Sequence, residues 1–285
     1  MTELAPPQAG PANWSHGFLP PNFQGTRLRP TGSPLLDLEP PAYKSREHQR
    51  RSLDQLTMLN ERHARLHPEH AALRGRMASC ELAYRMQRSV PEAVDLSKET
   101  TGTQALYGID NKTTAVYGRR LLAARRLAER GVRFIELIDV GSSANWDAHG
   151  DMATHGPLAR NVDGPITALV TDLKRRGMLD DTLVVWTTEF GRTPYHEKAD
   201  HPGREHHHQV FSSWMAGGGV KPGMVYGSSD PLGIDVAEQK VHVHDFHATI
   251  LHLLGLDHQR LTYRYAGRDY RLTDVHGDVV QGILA

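Results

Sequence analysis

Between residues 132 and 188 the apolar pattern changes period twice, and this change constrains the fold more than any other feature of the chain. Val132-Arg133-Phe134-Ile135-Glu136-Leu137-Ile138 is a β-rich run of strand length. After a polar loop, a helical segment carries Leu158, Val162, Ile166, Leu169 and Leu173 on one stripe and stops at Gly177. Thr182-Leu183-Val184-Val185-Trp186-Thr187-Thr188 is β-rich again. Strand, helix and strand in close succession spell a βαβ unit, which joins parallel neighbours and calls for a sheet covered on both faces. A further strand is expected over residues 210–216 before Gly217-Gly218-Gly219, and a short helix over 243–254 before Gly255. The expected fold class is therefore α/β: a three-layer sandwich whose sheet is largely parallel, with helices on both faces.

The N-terminal part obeys other rules. Nine of the 17 prolines fall between Pro6 and Pro41, interleaved with Gly10, Gly17, Gly25 and Gly32. Proline lacks the N–H that helices and central strands need, so residues 1–42 read as an irregular arm. Trp14, Phe18, Leu19, Phe23, Leu35, Leu36 and Tyr43 supply apolar anchors that a solvated linker would not need. Residues 43–285 are then expected to form one α/β domain that opens with three helices. The first spans 45–67, the second opens at Pro68 with Leu73, Met77, Cys80 and Tyr84 as its apolar stripe, and the third spans 113–130 before Gly131.

Composition excludes several functions. Lys+Arg 33 against Asp+Glu 33 over 285 residues leaves no basic excess for binding nucleic acid. No apolar run approaches the roughly 18 residues of a membrane span, and the first residues have neither the basic nor the apolar region of a signal peptide. A single cysteine, Cys80, excludes an intrachain disulfide and a thiolate zinc knuckle. Histidine is in excess: of 18 in the chain, 13 lie at or after His149.

Three polar loops concentrate the residues able to do chemistry. Asn145-Trp146-Asp147-Ala148-His149-Gly150 follows the first expected strand, Glu189-Phe190-Gly191-Arg192-Thr193-Pro194 follows the second, and Gly203-Arg204-Glu205-His206-His207-His208 precedes the third. In a parallel sheet, loops after successive strands open on one rim. Imidazole and carboxylate brought together there suit a divalent cation, Zn²⁺ first and Mn²⁺ or Fe²⁺ next. Asp147 and His149, two apart, can share one ion; equally, Asp147 can cap a turn and His149 sit on the surface. His206, His207 and His208 read either as ligands or as a solvated loop. Arg192 and Arg204 can grip a phosphate or sulfate bidentately, or close structural ion pairs. His242, His244, His247 and His252 surround an apolar helix and His276 lies in a polar tail; all five read as packing, caps or hydrogen-bonded support rather than ligands.

Taken together, these segments resemble a bacterial family, the domain-of-unknown-function 1501 (DUF1501) proteins, distant relatives of sulfatases in the alkaline-phosphatase-like superfamily. The resemblance includes Trp14-Ser15-His16-Gly17-Phe18-Leu19-Pro20, Pro91-Glu92-Ala93-Val94-Asp95-Leu96, the three loops above, and the tail Val241-His242-Val243-His244-Asp245-Phe246-His247 with Arg271-Leu272-Thr273-Asp274-Val275-His276-Gly277. It implies an alkaline-phosphatase-like sandwich, incomplete at its N-terminus, with a divalent metal (Zn, Mn or Ca) at the strand ends. The implied activity is metal-dependent hydrolysis of small phosphate or sulfate esters; the alternative is a non-catalytic or truncated relative acting as a binding protein. In the superfamily, a strand like 182–188 runs into Asp-His-Gly with two metal ligands; here Glu189, Phe190 and Gly191 stand there. Glu189 can still coordinate and Phe190 cannot, so a replacement ligand is expected from His206 or His207. The metal set implied is Asp147, His149, Glu189, His206 and His207, with Arg192 and Arg204 on the substrate. The superfamily's N-terminal strand and nucleophile have no counterpart here, and related full-length proteins are often exported by the twin-arginine route.

Overall fold

A computed structural model describes residues 10–17, 19–20, 23–29, 35, 38–68, 71–139, 146–196, 198 and 200–285, the side chains of 71, 72 and 88 excepted. Phe18 and Leu36 of the expected anchors, and Asn145 of the first loop, lie outside the described residues. The chain divides into two compact units, Met1–Ser143 and Ala144–Ala285.

In the first unit the arm makes a 3-10 turn over Gly10–Trp14 and closes on itself. The Gly25 amide donates to the Trp14 carbonyl at 2.9 Å, and the Arg27 guanidinium lies 4.9 Å over the Trp14 ring. Helix α1 (Arg46–Leu66) starts at Ser45, whose side chain accepts from the His48 amide. Helix α2 (Ala71–Ala93) returns beside it, tied by Arg50 to Glu81 at 2.8 Å and Gln49 to Gln87 at 3.0 Å. Cys80, expected on the buried stripe of α2, is exposed. A short helix α3 (Thr101–Leu106) precedes α4 (Ala115–Glu129), which is buried on nearly every side. Gly118 lets α4 touch the backbone at Tyr107: a Cβ there would stand 2.0 Å from the Tyr107 carbonyl oxygen. Arg125, 1% exposed, bonds Glu99 and Glu129 at 2.7 and 2.6 Å, while Arg126 reaches Glu99 and the carbonyls of Glu92 and Ala93 at the end of α2. Burial opposes ionisation of Glu99, yet hydrogen bonds from Arg125 and Arg126 overcome it and hold the carboxyl below its ordinary range.

The second unit is built on α5 (His155–Arg175), which buries Val162, Pro165, Ala168, Leu169 and Leu173 and ends where Gly177 adopts φ +67°. Strand β1 (Val184–Trp186) pairs antiparallel with β4 (Trp214–Ala216), Val185 facing Met215. Between them, β2 (Gly191–Arg192) pairs antiparallel with β3 (His206–His207). Two further hairpins follow, β5 (Ser228–Ser229) with β6 (Val236–Glu238) and β7 (Thr262–Tyr265) with β8 (Arg268–Arg271), the latter turning through Ala266 and Gly267, both at positive φ. Helix α6 (Val243–Leu253) is capped by His242, whose imidazole accepts from the His244 amide while Asp245 accepts from the His242 amide. Among the described residues no helix is long and apolar enough to cross a membrane.

The expected three-layer sandwich with a largely parallel sheet is overturned: every sheet among the described residues is a two-stranded antiparallel pair. Two physical causes account for it. Residues 132–137 form no strand, and Phe134 is 75% exposed, so this apolar run is not the buried strand that a βαβ unit requires. Meanwhile Gly217, Gly218 and Gly219, all at positive φ, fold the chain after β4 against 179–183, where the Gly218 amide donates to the Leu179 carbonyl at 3.0 Å. A Cβ at Gly217 would lie 2.3 Å from that carbonyl oxygen, so only glycine permits the approach. This glycine turn sets β4 antiparallel to β1.

Candidate metal centre

The loop after residue 145 makes two successive three-residue turns, Ala148 donating to the Trp146 carbonyl and His149 to the Asp147 carbonyl. Asp147 and His149 are thereby brought to one side. The loop is held against 202–205, with Met152 donating to the Pro202 carbonyl at 3.1 Å and Arg204 to the Ala148 carbonyl at 3.3 Å. Gly203 sits so close that a Cβ would be 1.6 Å from the His149 carbonyl oxygen. On the other side, β2 and β3 set Arg192 opposite His206. Opposed residues of an antiparallel pair share a face, so both side chains rise toward the Asp147 loop.

Asp147 Oδ1 lies 2.9 Å from His206 Nε2 and 3.1 Å from His149 Nε2, and the two imidazole nitrogens are 3.1 Å apart. The three side chains are 54%, 46% and 45% exposed, so the triangle opens to solvent. Ligands bonded at about 2.1 Å stand about 3.0 Å apart along an octahedral edge and about 3.4 Å along a tetrahedral one. The observed edges match one face of an octahedron. Hydrogen bonds from Arg192 and His206 hold the Asp147 carboxyl down at about 2, so it is an anion at any ordinary pH. The Arg192 guanidinium ends on the same Oδ1 and donates through Nη1 to the Arg204 carbonyl at 3.3 Å.

The remaining predicted residues go elsewhere. Glu189 accepts from the Thr188 hydroxyl at 3.1 Å and stands outside the triad. His207 is buried, its Nε2 2.9 Å from the Gly233 carbonyl, because neighbours along a strand face opposite ways and His206 takes the site face. Arg204 turns back to the carbonyls of Gly203 and His201, at 2.7 and 3.4 Å. Two further residues, Phe190 and Glu205, line the site. Phe190 packs on the His206 ring at 4.0 Å. Glu205 places Oε2 3.1 Å from His149 Nδ1 and Oε1 3.1 Å from His196 Nε2. The signal that could have found Glu205 was a carboxylate adjoining a histidine run, the usual outer partner of a ligating imidazole.

The model of one family, described as Protein of unknown function (DUF1501), matches residues 1–284, and the chain belongs to this family. No curated protein and no solved structure matches it.

Proposed function

We propose that this chain holds one divalent metal ion on Asp147, His149 and His206 and uses it to hydrolyse a small phosphate or sulfate ester. The observation that carries the reading is the solvent-facing triangle of one carboxylate oxygen and two imidazole nitrogens at 2.9–3.1 Å. Mixed nitrogen and oxygen donors suit zinc or manganese; calcium prefers oxygen alone. Such an ion supplies a Lewis acid for the ester oxygen and acidifies a water at its open positions. Asp147 provides the negative ligand without needing a base, being already ionised. Arg192 uses two of its five N–H groups inside the protein, which leaves donors for the anionic end of an ester.

A second reading, a non-catalytic binding protein, draws support from a different observation: Arg192 and Arg204 both bond within the protein, to Asp147 and to backbone carbonyls. The full chain loaded with Zn²⁺ or Mn²⁺, assayed on aryl phosphate and aryl sulfate beside the metal-free chain and Asp147→Asn, separates the two. Turnover that needs the metal and disappears in Asp147→Asn supports the hydrolase. Stoichiometric metal uptake without turnover supports the binding protein.

A further inference from the structure

We infer that Asp230 is the positioning residue that, through the Gly233 carbonyl, holds His207 in the protein and thereby keeps its neighbour His206 turned toward Asp147. The inference rests on the metal reading above and explains how one of two adjacent histidines is kept for the ion.

His206 and His207 are chemically alike, and only the face of β3 separates them. The β2–β3 ladder has two pairs, Gly191 with His207 and Arg192 with His206. A slip of one residue exchanges the faces of a strand, and so short a ladder specifies its own register weakly. The discriminating contact lies on the face turned away from the site. His207 is 8% exposed, and its Nε2 is 2.9 Å from the Gly233 carbonyl. A carbonyl only accepts, so the bond runs from the His207 Nε2–H to the loop.

One carboxylate fixes that loop. Asp230 Oδ1 accepts from the Leu232 and Ile234 amides at 2.7 and 3.2 Å, and Oδ2 accepts from the Asp235 amide at 2.7 Å. Hydrogen bonds from the Asp235 and Ile234 amides hold the Asp230 carboxyl below its ordinary range, so it remains an acceptor at ordinary pH. Main-chain bonds close the same loop, the Gly233 amide donating to the Asp230 carbonyl at 3.0 Å and the Asp230 amide to the Asp235 carbonyl at 2.9 Å. The Ile234 amide and the Gly233 carbonyl belong to one trans peptide plane and point opposite ways. With the N–H turned to Asp230, the carbonyl is turned away from it, to His207. Asp230 stands outside the triad and acts through His207 and β3.

The experiment has two arms on the full chain. Long-range ¹⁵N–¹H spectra at about pH 8, above the ordinary imidazole pKa, are expected to show His207 protonated on Nε2, with a proton that exchanges slowly in the wild type and quickly in Asp230→Ala. Co²⁺ titration followed by its visible absorption reads the site. Asp230→Ala and His207→Ala are each expected to retain one Co²⁺ per chain, bound about 10-fold more weakly. The double variant is expected to lose about 10-fold and not 100-fold, because both changes act on one contact. Asp230→Asn, which keeps an acceptor for the Ile234 amide, should fall between the wild type and Asp230→Ala. His207→Gln, whose side-chain amide can still donate to the Gly233 carbonyl, should bind as the wild type does. Additive losses, a His207→Gln as weak as His207→Ala, or unaltered affinity in Asp230→Ala overturns the role of Asp230. Failure of the wild-type chain to bind Co²⁺ or Zn²⁺ overturns the metal reading instead, and the Nε2–H signal still decides whether Asp230 holds His207.

Discussion

Arg192 and His206 face each other across the β2–β3 pair, and both side chains end on one oxygen, Oδ1 of Asp147. A two-residue ladder therefore does what a large sheet would otherwise do: it sets a cation and an imidazole side by side against a carboxylate from a distant loop. The short pair suffices because Thr193 extends it, bonding Glu205 through its amide and hydroxyl.

Removing Arg192 should release Asp147. Because hydrogen bonding depresses the carboxyl from 3.8 to about 2, its stabilising effect is fully present above pH 3.8 and is lost as pH falls through about 2. In Arg192→Met the carboxyl pKa is expected to rise toward 3.8, so that the site loosens at higher pH than in the wild type. Carboxyl ¹³C titration checks this; an Asp147 midpoint unmoved by the substitution contradicts the contact.

Gly203→Ala should separate the loop at 147–150 from residues 202–205. The added Cβ meets the His149 backbone, which cannot yield as a flexible side chain would, and a stability loss of about 1–3 kcal/mol is expected together with weaker metal uptake. Gly150→Ala, with nothing within 4 Å of its Cβ, is the matched control and should change neither. Thermal melts of the two variants side by side decide the matter.

In the first unit, Glu99→Gln should cost about 3–5 kcal/mol, since it leaves Arg126 buried with a neutral partner and Arg125 with Glu129 as its remaining carboxylate. The wild-type stabilisation is expected to hold above pH 4.5, the ordinary value for glutamate, and to fade as pH falls below it toward the depressed folded value. Urea unfolding at several pH values should show the wild type losing this advantage in acid while Glu99→Gln changes less.

Helices were more legible in the sequence than strands. The stripe Val162, Leu169, Leu173 and the stop at Gly177 mark α5 because a three-to-four-residue period repeats over several turns and leaves one reading. Residues 132–138 and 182–188 look alike as apolar runs, but pairing is a tertiary matter: β1 found its partner in β4 beside the three-glycine turn, whereas 132–137 form no strand among the described residues. The site was legible as residue types, with Asp147, His149 and His206 all noted as ligand candidates. The face each one takes was not, because it depends on the register of β2 with β3, which places His206 toward Asp147 and sends His207 to the Gly233 carbonyl. Glu205 and Phe190 act on other side chains rather than on a ligand, so no spacing rule singled them out.

The central claim is that Asp147, His149 and His206 together hold one divalent ion, and calorimetric titration of the metal-stripped full chain with Zn²⁺ tests it most directly. The account predicts one ion per chain, with uptake lost in His206→Ala and in Asp147→Ala and retained in His207→Ala and Glu189→Ala. Absence of binding, or binding that survives loss of His206 but not of His207 or Glu189, would contradict it.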